Sequence, residues 1–319
     1  MAKAPLAGLA AALALMSLAS PAWAWSEETH QTTGAIAWAD LAKRNPAALA
    51  ELLVIARNHQ DYPLFAARAA ALPEPVRQRA LFEWLARWPD DIRGGPEDHP
   101  KWHYALRVVS GRSWLWPLRN GTAKEGFAFN YAQLASPCAP AADRARAIGW
   151  LIHIVGDIQQ PLHAGHQMSA DFPATDRAGE LAFVRRFADS PPVNLHQYWD
   201  KIFQQSRVNA PGGDWAAALM TVWPRQKITG LDRAGSAVRV FASQVEETRE
   251  LARMVGYRGT FLAAVPAGQT APVVTPAENA YALALSGRRV ATGGYRIADT
   301  LAQAVTQAKG SSASCPARP

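Results

Sequence analysis

The sequence predicts an all-α protein made of a single, mostly helical domain, and three observations carry that prediction. Apolar residues return at intervals of three and four along stretches rich in Ala, Leu and Arg, the spacing of one buried helix face. No segment shows the alternation, or the β-branched clusters bounded by tight-turn residues, that a sheet requires. No Pro- or Gly-rich stretch is long and polar enough to link two separate domains.

Taken in order, residues 1–24 have the layout of a secretion signal: Lys3, an apolar run from Leu6 to Leu18, then Ala22-Trp23-Ala24 as a small-x-small cleavage pattern. The run is short for a bilayer span. The expected product starts at Trp25, is exported to the periplasm or beyond the cell, is monomeric and has no stable membrane association. Helical spacing marks 35–43, 77–85, 141–154, 215–222, 235–254 and 281–307, with Gly293-Gly294 inviting a break or bend in the last. Pro and Gly place loops at 93–100, 136–140, 170–193, 209–213 and 266–276. The domain is expected over 25–308, with a flexible tail over 309–319.

Hydrophobic residues make up 49% of the chain and charged ones 18%, which excludes a disordered polar chain. A net charge of +7 suits an anionic substrate without establishing one. The two cysteines, Cys138 and Cys315, lie too far apart in sequence for a metal-binding pair. In an oxidising compartment one disulfide between them is expected, with two separate thiols as the alternative.

Chemistry concentrates in the histidines. The segment LIHIVGDIQQPLH puts His153 and Asp157 four apart, on one helix face, with His163 just beyond Pro161. NLHQYWD repeats the device with His196 and Asp200. An imidazole and a carboxylate at that spacing can meet one cation, and nitrogen and oxygen ligands without thiolate suit zinc, with manganese or iron open. One such pair alone is more often a cap or surface ion pair. Two among apolar neighbours are harder to dismiss, because buried carboxylates need partners.

RWPDDIR adds Asp90 with Asp91 beside it and Arg93 one turn on, and HPKWHYAL adds His103 between Trp102 and Tyr104. Trp25 and His30 complete the set. A free α-amine titrates at about 7.7–8.0, so a cation can displace its proton near neutrality. Amine and carbonyl of one residue then form a five-membered chelate, which only cleavage directly before Trp25 would expose. The remaining histidines read more plainly. His59 and His99 are expected at the surface or in loops, and His166 as a group that orients a water or a ligand. Trp84, Trp88, Trp102, Trp114 and Trp116 read as core or wall residues. Arg185-Arg186, in a 165–193 segment expected to shape the substrate entrance, reads as a solvated surface pair or a phosphate contact.

Together, Trp25, His30, Asp90, His103, His153, Asp157, His163, His196 and Asp200 resemble the three-zinc site of the single-strand-specific nucleases of fungi, plants and bacteria. The bacterial zinc phospholipases C share that fold and cluster, and the resemblance runs from Trp25 to about Leu301. It implies one zinc held by Asp90, His103 and His153, with Asp157 reaching it. A second takes His163, His196 and Asp200. The third takes the amine and carbonyl of Trp25 with His30, and Asp157 bridges it to the first.

The implied activity is hydrolysis of single-stranded DNA and RNA to 5′-phosphate products, with 3′-nucleotidase activity, by in-line attack of a metal-generated hydroxide while the dications spread the developing charge. Asp90, Asp157 and Arg93 become the catalytic residues. Arg93 matches an arginine that contacts the transition-state phosphate, a salt bridge to Asp90 or Asp91 being the plainer role. Tyr104 stands where the family stacks an aromatic on an unpaired base, with ordinary packing as its alternative. Leu106 replaces a polar base reader, so apolar contact is expected there. A zinc phospholipase C is the second enzyme class; Asp200, where those enzymes tend to use glutamate, and the lack of an added membrane-binding segment favour the nuclease. A helical binding protein with a purely structural metal is the third.

Overall fold

The computed structural model describes residues 25–110, 119–203, 214–311 and Cys315. Residues 1–24, read as a secretion signal, the 209–213 loop, Trp114, Trp116 and most of the 309–319 tail lie outside the described residues.

Local chemistry sets the helix ends. Helix α1 (Glu27–Arg44) opens on two acidic residues and closes on Lys43 and Arg44, each charge facing the pole of the helix dipole that favours it. It stops at Asn45, ahead of Pro46, which starts α2 (Pro46–Ala56). Next come α3 (Tyr62–Arg68), α4 (Val76–Asp91), α5 (Ala123–Ala135) and α6 (Ala141–Asp157). Helices α7 (Leu195–Asp200), α8 (Trp215–Val222), α9 (Ala237–Leu251) and α10 (Pro276–Gly310) follow. The last begins in a capping box, with Glu278 N donating to Thr275 Oγ1 at 3.2 Å and Thr275 N donating back to Glu278 Oε2 at 3.0 Å.

Two expectations need correction. Helix α10 runs unbroken past Gly293-Gly294. A Cβ on Gly294 would lie 2.4 Å from Ile36 Cγ2, and one on Gly293 would lie 2.8 Å from Gln159 Cγ. Those glycines serve close approach to α1 and to the end of α6. Short strands also exist where no sheet was read: β1 (Leu106–Ser110) pairs antiparallel with β2 (Arg119–Asn120) and parallel with β3 (Gly165–Gln167). A separate hairpin joins β4 (Phe183–Arg185) to β5 (Pro192–Asn194). Strands of two to five residues are too short to display alternation.

Helix α1 packs against α4 and α10, and α6 against α4, α5 and α10. One apolar cluster surrounds α6 with Leu85, Trp88, Phe127, Ile148, Leu151 and Phe241. A second gathers Trp25, Ile36, Tyr198, Trp199 and Tyr295. Complete burial of an aromatic such as Trp25 or Trp199 contributes about 2–3 kcal/mol. The disulfide Cys138–Cys315 ties the chain beyond α10 to the loop before α6, with 5.2 Å between Cα atoms.

Carbonyls at and just beyond the C-terminal end of α6 accept from donors outside the helix. Trp25 Nε1 donates to Gly156 O at 3.0 Å, Thr248 Oγ1 to Ile158 O at 2.5 Å, and Arg289 Nε to Gln159 O at 3.2 Å. Behind this end, Arg233, Arg289 and Arg296 converge on the single carboxylate of Glu247.

His59 corrects another expectation: it is buried, with its ring edge-on to Trp84 and Trp88, and Nδ1 accepts from the Asp61 amide at 3.1 Å. Burial pushes its pKa down to about 4. His99 stacks on Trp102 at 3.7 Å, and Trp84, Trp88 and Trp102 belong to or pack on the core as expected. Arg186 is buried rather than solvated, while Arg185 is half-buried, and both guanidiniums donate within the protein. Arg185 donates to the carbonyls of Ala271 and Ala188, while buried Arg186 donates to Tyr198 O and Asn279 and lies 4.1 Å over the Tyr198 ring. Among the described residues, no helix is long and apolar enough to cross a membrane.

Candidate metal centre

The end of α6 is where separate segments deliver their polar side chains. His153 and Asp157 occupy its last two turns; Asp90 stands on the last turn of α4, and His30 on the first of α1. His103 and His163 each close a short 3-10 turn, Pro100–His103 and Pro161–His163, while α7 carries both His196 and Asp200. All eight are buried, and Trp25 is fully buried beside them.

Asp157 is the hub. Its Oδ2 lies 2.9 Å from His103 Nδ1 and 3.1 Å from His153 Nε2; its Oδ1 lies 3.2 Å from His30 Nε2. Asp90 faces the same cluster, with Oδ2 3.6 Å from His30 Nε2 and Oδ1 3.8 Å from His153 Nε2 and 4.0 Å from His103 Nδ1. The other pair closes more locally, His196 Nε2 to Asp200 Oδ2 at 3.4 Å. Three groups result, His30 with His153 and Asp157, Asp90 with His103 and His153, and His163 with His196 and Asp200; within each the ligand atoms lie no more than 4.8 Å apart. Ligands about 2.0–2.1 Å from one tetrahedral ion stand roughly 3.3 Å from each other, so these spacings fit metal binding.

Backbone carbonyls orient the rings. His153 Nδ1 donates to Ala86 O at 2.7 Å, His163 Nδ1 to His103 O at 2.7 Å, and His196 Nδ1 to Ala178 O at 2.8 Å. Each leaves Nε2 facing the cluster, the arrangement of a metal-ligating histidine. Nε2 of His30, His163 and His196, Oδ1 of Asp157 and Oδ2 of Asp200 are buried without a hydrogen-bond partner among the described residues. Buried polar atoms are rarely left so, and cations held by the separate groups would satisfy them.

Protonation agrees. Burial pushes the imidazoles of His30, His103 and His196 down, and that of His163 to about 3. Burial also opposes the charge on His153, but Asp157 and Asp90 outweigh it and hold the group up. Burial pushes Asp157 up, yet the His153 and His163 imidazoles and hydrogen bonds from His103 and His153 hold it well below the usual carboxylate range; Asp90 is lowered in the same way. Asp200 is pushed well up by burial. A dication reverses such a shift, because coordination favours the ionised carboxylate.

At the rim, Arg93 Nε and Nη2 both donate to Asp90 Oδ1, at 3.0 and 2.7 Å, so the salt bridge weighed for it exists. The Tyr104 ring stacks on His163 at 4.7 Å. Leu106 is 6% exposed and packs inside the second cluster, which replaces the expected contact with a base. His166 is buried in β3, opposite Val108. Gln160 was missed: its Nε2 donates to Asp200 Oδ1 at 2.9 Å and its Oε1 accepts from Leu162 N. The carbonyls of Ala86, His103 and Ala178 were missed as well, since a backbone acceptor leaves no trace in residue type.

No curated protein matches the chain. The family model described as S1/P1 nuclease matches residues 25–306. That match begins at the tryptophan buried against the cluster and ends within α10, taking in all nine residues in order. With both its fold and its buried His/Asp groups inside that span, the chain belongs to the S1/P1 nuclease family, whose members are metal-dependent hydrolases of nucleic acid.

Proposed function

We propose that the protein is an exported zinc endonuclease that hydrolyses single-stranded DNA and RNA to 5′-phosphate products and removes the phosphate of 3′-nucleotides. One observation carries the proposal: buried imidazoles and carboxylates, several of their atoms lacking hydrogen-bond partners, converge in three groups, two of which meet at Asp157. Asp90, His103 and His153, with Asp157, would hold one zinc, and His163, His196 and Asp200 a second. His30 with the amine and carbonyl of Trp25 would hold the third, again with Asp157. The indole of Trp25, donating to Gly156 O, and the Ser26 amide, donating to Asp200 O at 3.1 Å, anchor this end beside the other ligands.

Bound there, zinc supplies Lewis-acid stabilisation of phosphodiester oxygens and lowers the pKa of water to near neutrality. The protein's part is orientation and charge. Asp90 and Asp157 stay ionised and fix the relative placement of the groups. Arg93, 18% exposed and paired with Asp90, would bring its positive charge to a non-bridging phosphate oxygen. The part-exposed Tyr104 ring extends the stack begun by His163 to an unpaired base, which a duplex cannot offer without melting.

The test compares single-stranded DNA, RNA and phosphatidylcholine as substrates of the purified chain starting at Trp25, with and without chelator. Chelator-sensitive cleavage of both nucleic acids is expected; cleavage of lipid alone would make it a phospholipase. A chain with one extra residue before Trp25 should lose zinc and activity, and full activity in it would refute the chelate.

A further inference from the structure

Asp176 is completely buried in the long segment between the ligands His163 and His196. Its Oδ1 accepts from the Gln167 amide at 3.1 Å and from the Tyr257 hydroxyl at 3.2 Å. Its main chain is tied on both sides, N donating to Gln167 O at 3.0 Å and O accepting from Leu181 N at 3.1 Å. Tyr257 directly follows a π-helical turn, Ala252–Gly256, the kind of local widening that re-aims a side chain.

The next three residues all lie in the left-handed region, with φ of 53° at Arg177, 58° at Ala178 and 88° at Gly179. Glycine enters that region freely. Two non-glycine residues in succession hold it only where the surroundings over-determine them. This turn is the cradle of His196. The Ala178 carbonyl accepts from His196 Nδ1 at 2.8 Å, and the Gly179 carbonyl accepts from the amides of Leu195 at 3.0 Å and His196 at 3.4 Å. A Cβ on Gly179 would stand 2.9 Å from the His196 amide nitrogen. The turn therefore fits against the first turn of α7 with no space to shift.

We infer that Asp176 is a positioning residue for the His163–His196–Asp200 group: clamped by Tyr257 and by β3, it imposes the left-handed turn whose Ala178 carbonyl keeps His196 protonated on Nδ1 and presents Nε2 to the cation. The inference rests on the metal-binding role proposed for that group. Asp176 lies in neither ligand motif, and its effect passes through two backbone carbonyls.

The experiment compares Asp176→Ala, Asp176→Asn and Tyr257→Phe with the wild-type chain. It measures zinc per chain by elemental analysis, the affinity of the weakest ion by chelator competition, and the His196 tautomer by nitrogen NMR. Asp176→Ala should bind one ion about 10–100-fold more weakly, the range for loss of a partner that orients a ligand. The other two ions should stay, with helical circular dichroism intact and His196 a mixture of tautomers. Asp176→Asn keeps the Oδ1 acceptor and should restore most of the affinity. Tyr257→Phe, which removes one donor, should fall between. Wild-type affinity and a fixed tautomer in Asp176→Ala would overturn the inference. So would parallel loss of all ions in Asp176→Ala together with an unaltered Tyr257→Phe. Should the wild-type chain itself hold no zinc, the metal proposal fails, and the tautomer still decides whether Asp176 orients His196.

Discussion

Nδ1 of His103 and Nε2 of His153 lie 2.9 Å apart and reach the same carboxylate oxygen of Asp157. Since His153 Nδ1 donates to Ala86 O, Nε2 is the nitrogen left to face that carboxylate and His103, a convergence that a cation relieves. Removing the metal should destabilise the fold. For an ion present at a hundred times its dissociation constant, the linkage is about 2.7 kcal/mol, or roughly 4–5 °C in midpoint for a chain of this size. Calorimetry with EDTA, then with zinc restored, measures it; an unchanged midpoint would disconnect metal from stability.

Asp157 touches two of the three groups, so Asp157→Asn should reduce kcat by ~10³-fold, comparable with losing a principal electrostatic element of an active site, and should lower zinc content. Asp91 is the control. It is exposed and paired with Arg87 at 2.7 Å, and Asp91→Asn should change neither quantity.

Substitutions at the rim should separate binding from chemistry. Tyr104→Ala removes a stacking face worth about 1–3 kcal/mol per base, which raises KM for single strands by roughly 10–100-fold, while Tyr104→Phe is near neutral. Arg93→Ala should instead lower kcat, by ~10²-fold, with Arg93→Lys recovering little because the planar fork is lost. Steady-state kinetics on an oligonucleotide distinguishes the two patterns.

The Glu247 carboxyl is pushed up by burial, but Arg289 and Arg296 outweigh that and hold it at about 2, below its ordinary 4.5. A lowered folded pKa means that its stabilisation is complete above about pH 4.5 and drains away as pH falls toward 2. Glu247→Gln strands guanidiniums that are 5% and 2% exposed, at a cost on the order of 3 kcal/mol near neutrality. Urea midpoints between pH 7 and 3 should fall more steeply for the wild-type chain than for the variant.

Gly294→Ala places a methyl group 2.4 Å from Ile36 Cγ2 and 3.1 Å from the Thr33 carbonyl. Overpacking of this kind costs about 1–3 kcal/mol, so thermal unfolding of the variant should begin several degrees earlier.

Helical periodicity exposed α4, α6, α8, α9 and α10 because each buries one face, but it placed the start of α1 late, since His30, Thr32 and Thr33 are buried there and break the apolar pattern. The i, i+4 pairs were legible as chemistry because their spacing is local. What escaped the sequence is long-range: His59 looked polar and is core, Arg186 looked like a surface charge and caps Tyr198 O, and Gly293-Gly294 looked like a hinge and is a contact face. Side-chain identity states what a group can bond to, whereas the partner is often far along the chain, as Ile36 is from Gly294 and Asn279 from Arg186.

The covalent link from Cys138 to Cys315 joins positions 177 apart in the chain and encloses His153, Asp157, His163, His196 and Asp200. In loop-closure terms such a bridge removes about 5 kcal/mol of freedom from the unfolded ensemble. It leaves His30, Asp90 and His103 outside the ring, to be captured by packing alone. A proteolytic nick within the enclosed stretch would still leave both fragments joined, so loss of activity and loss of intact mass need not coincide. Only a reductant would then let the pieces drift apart.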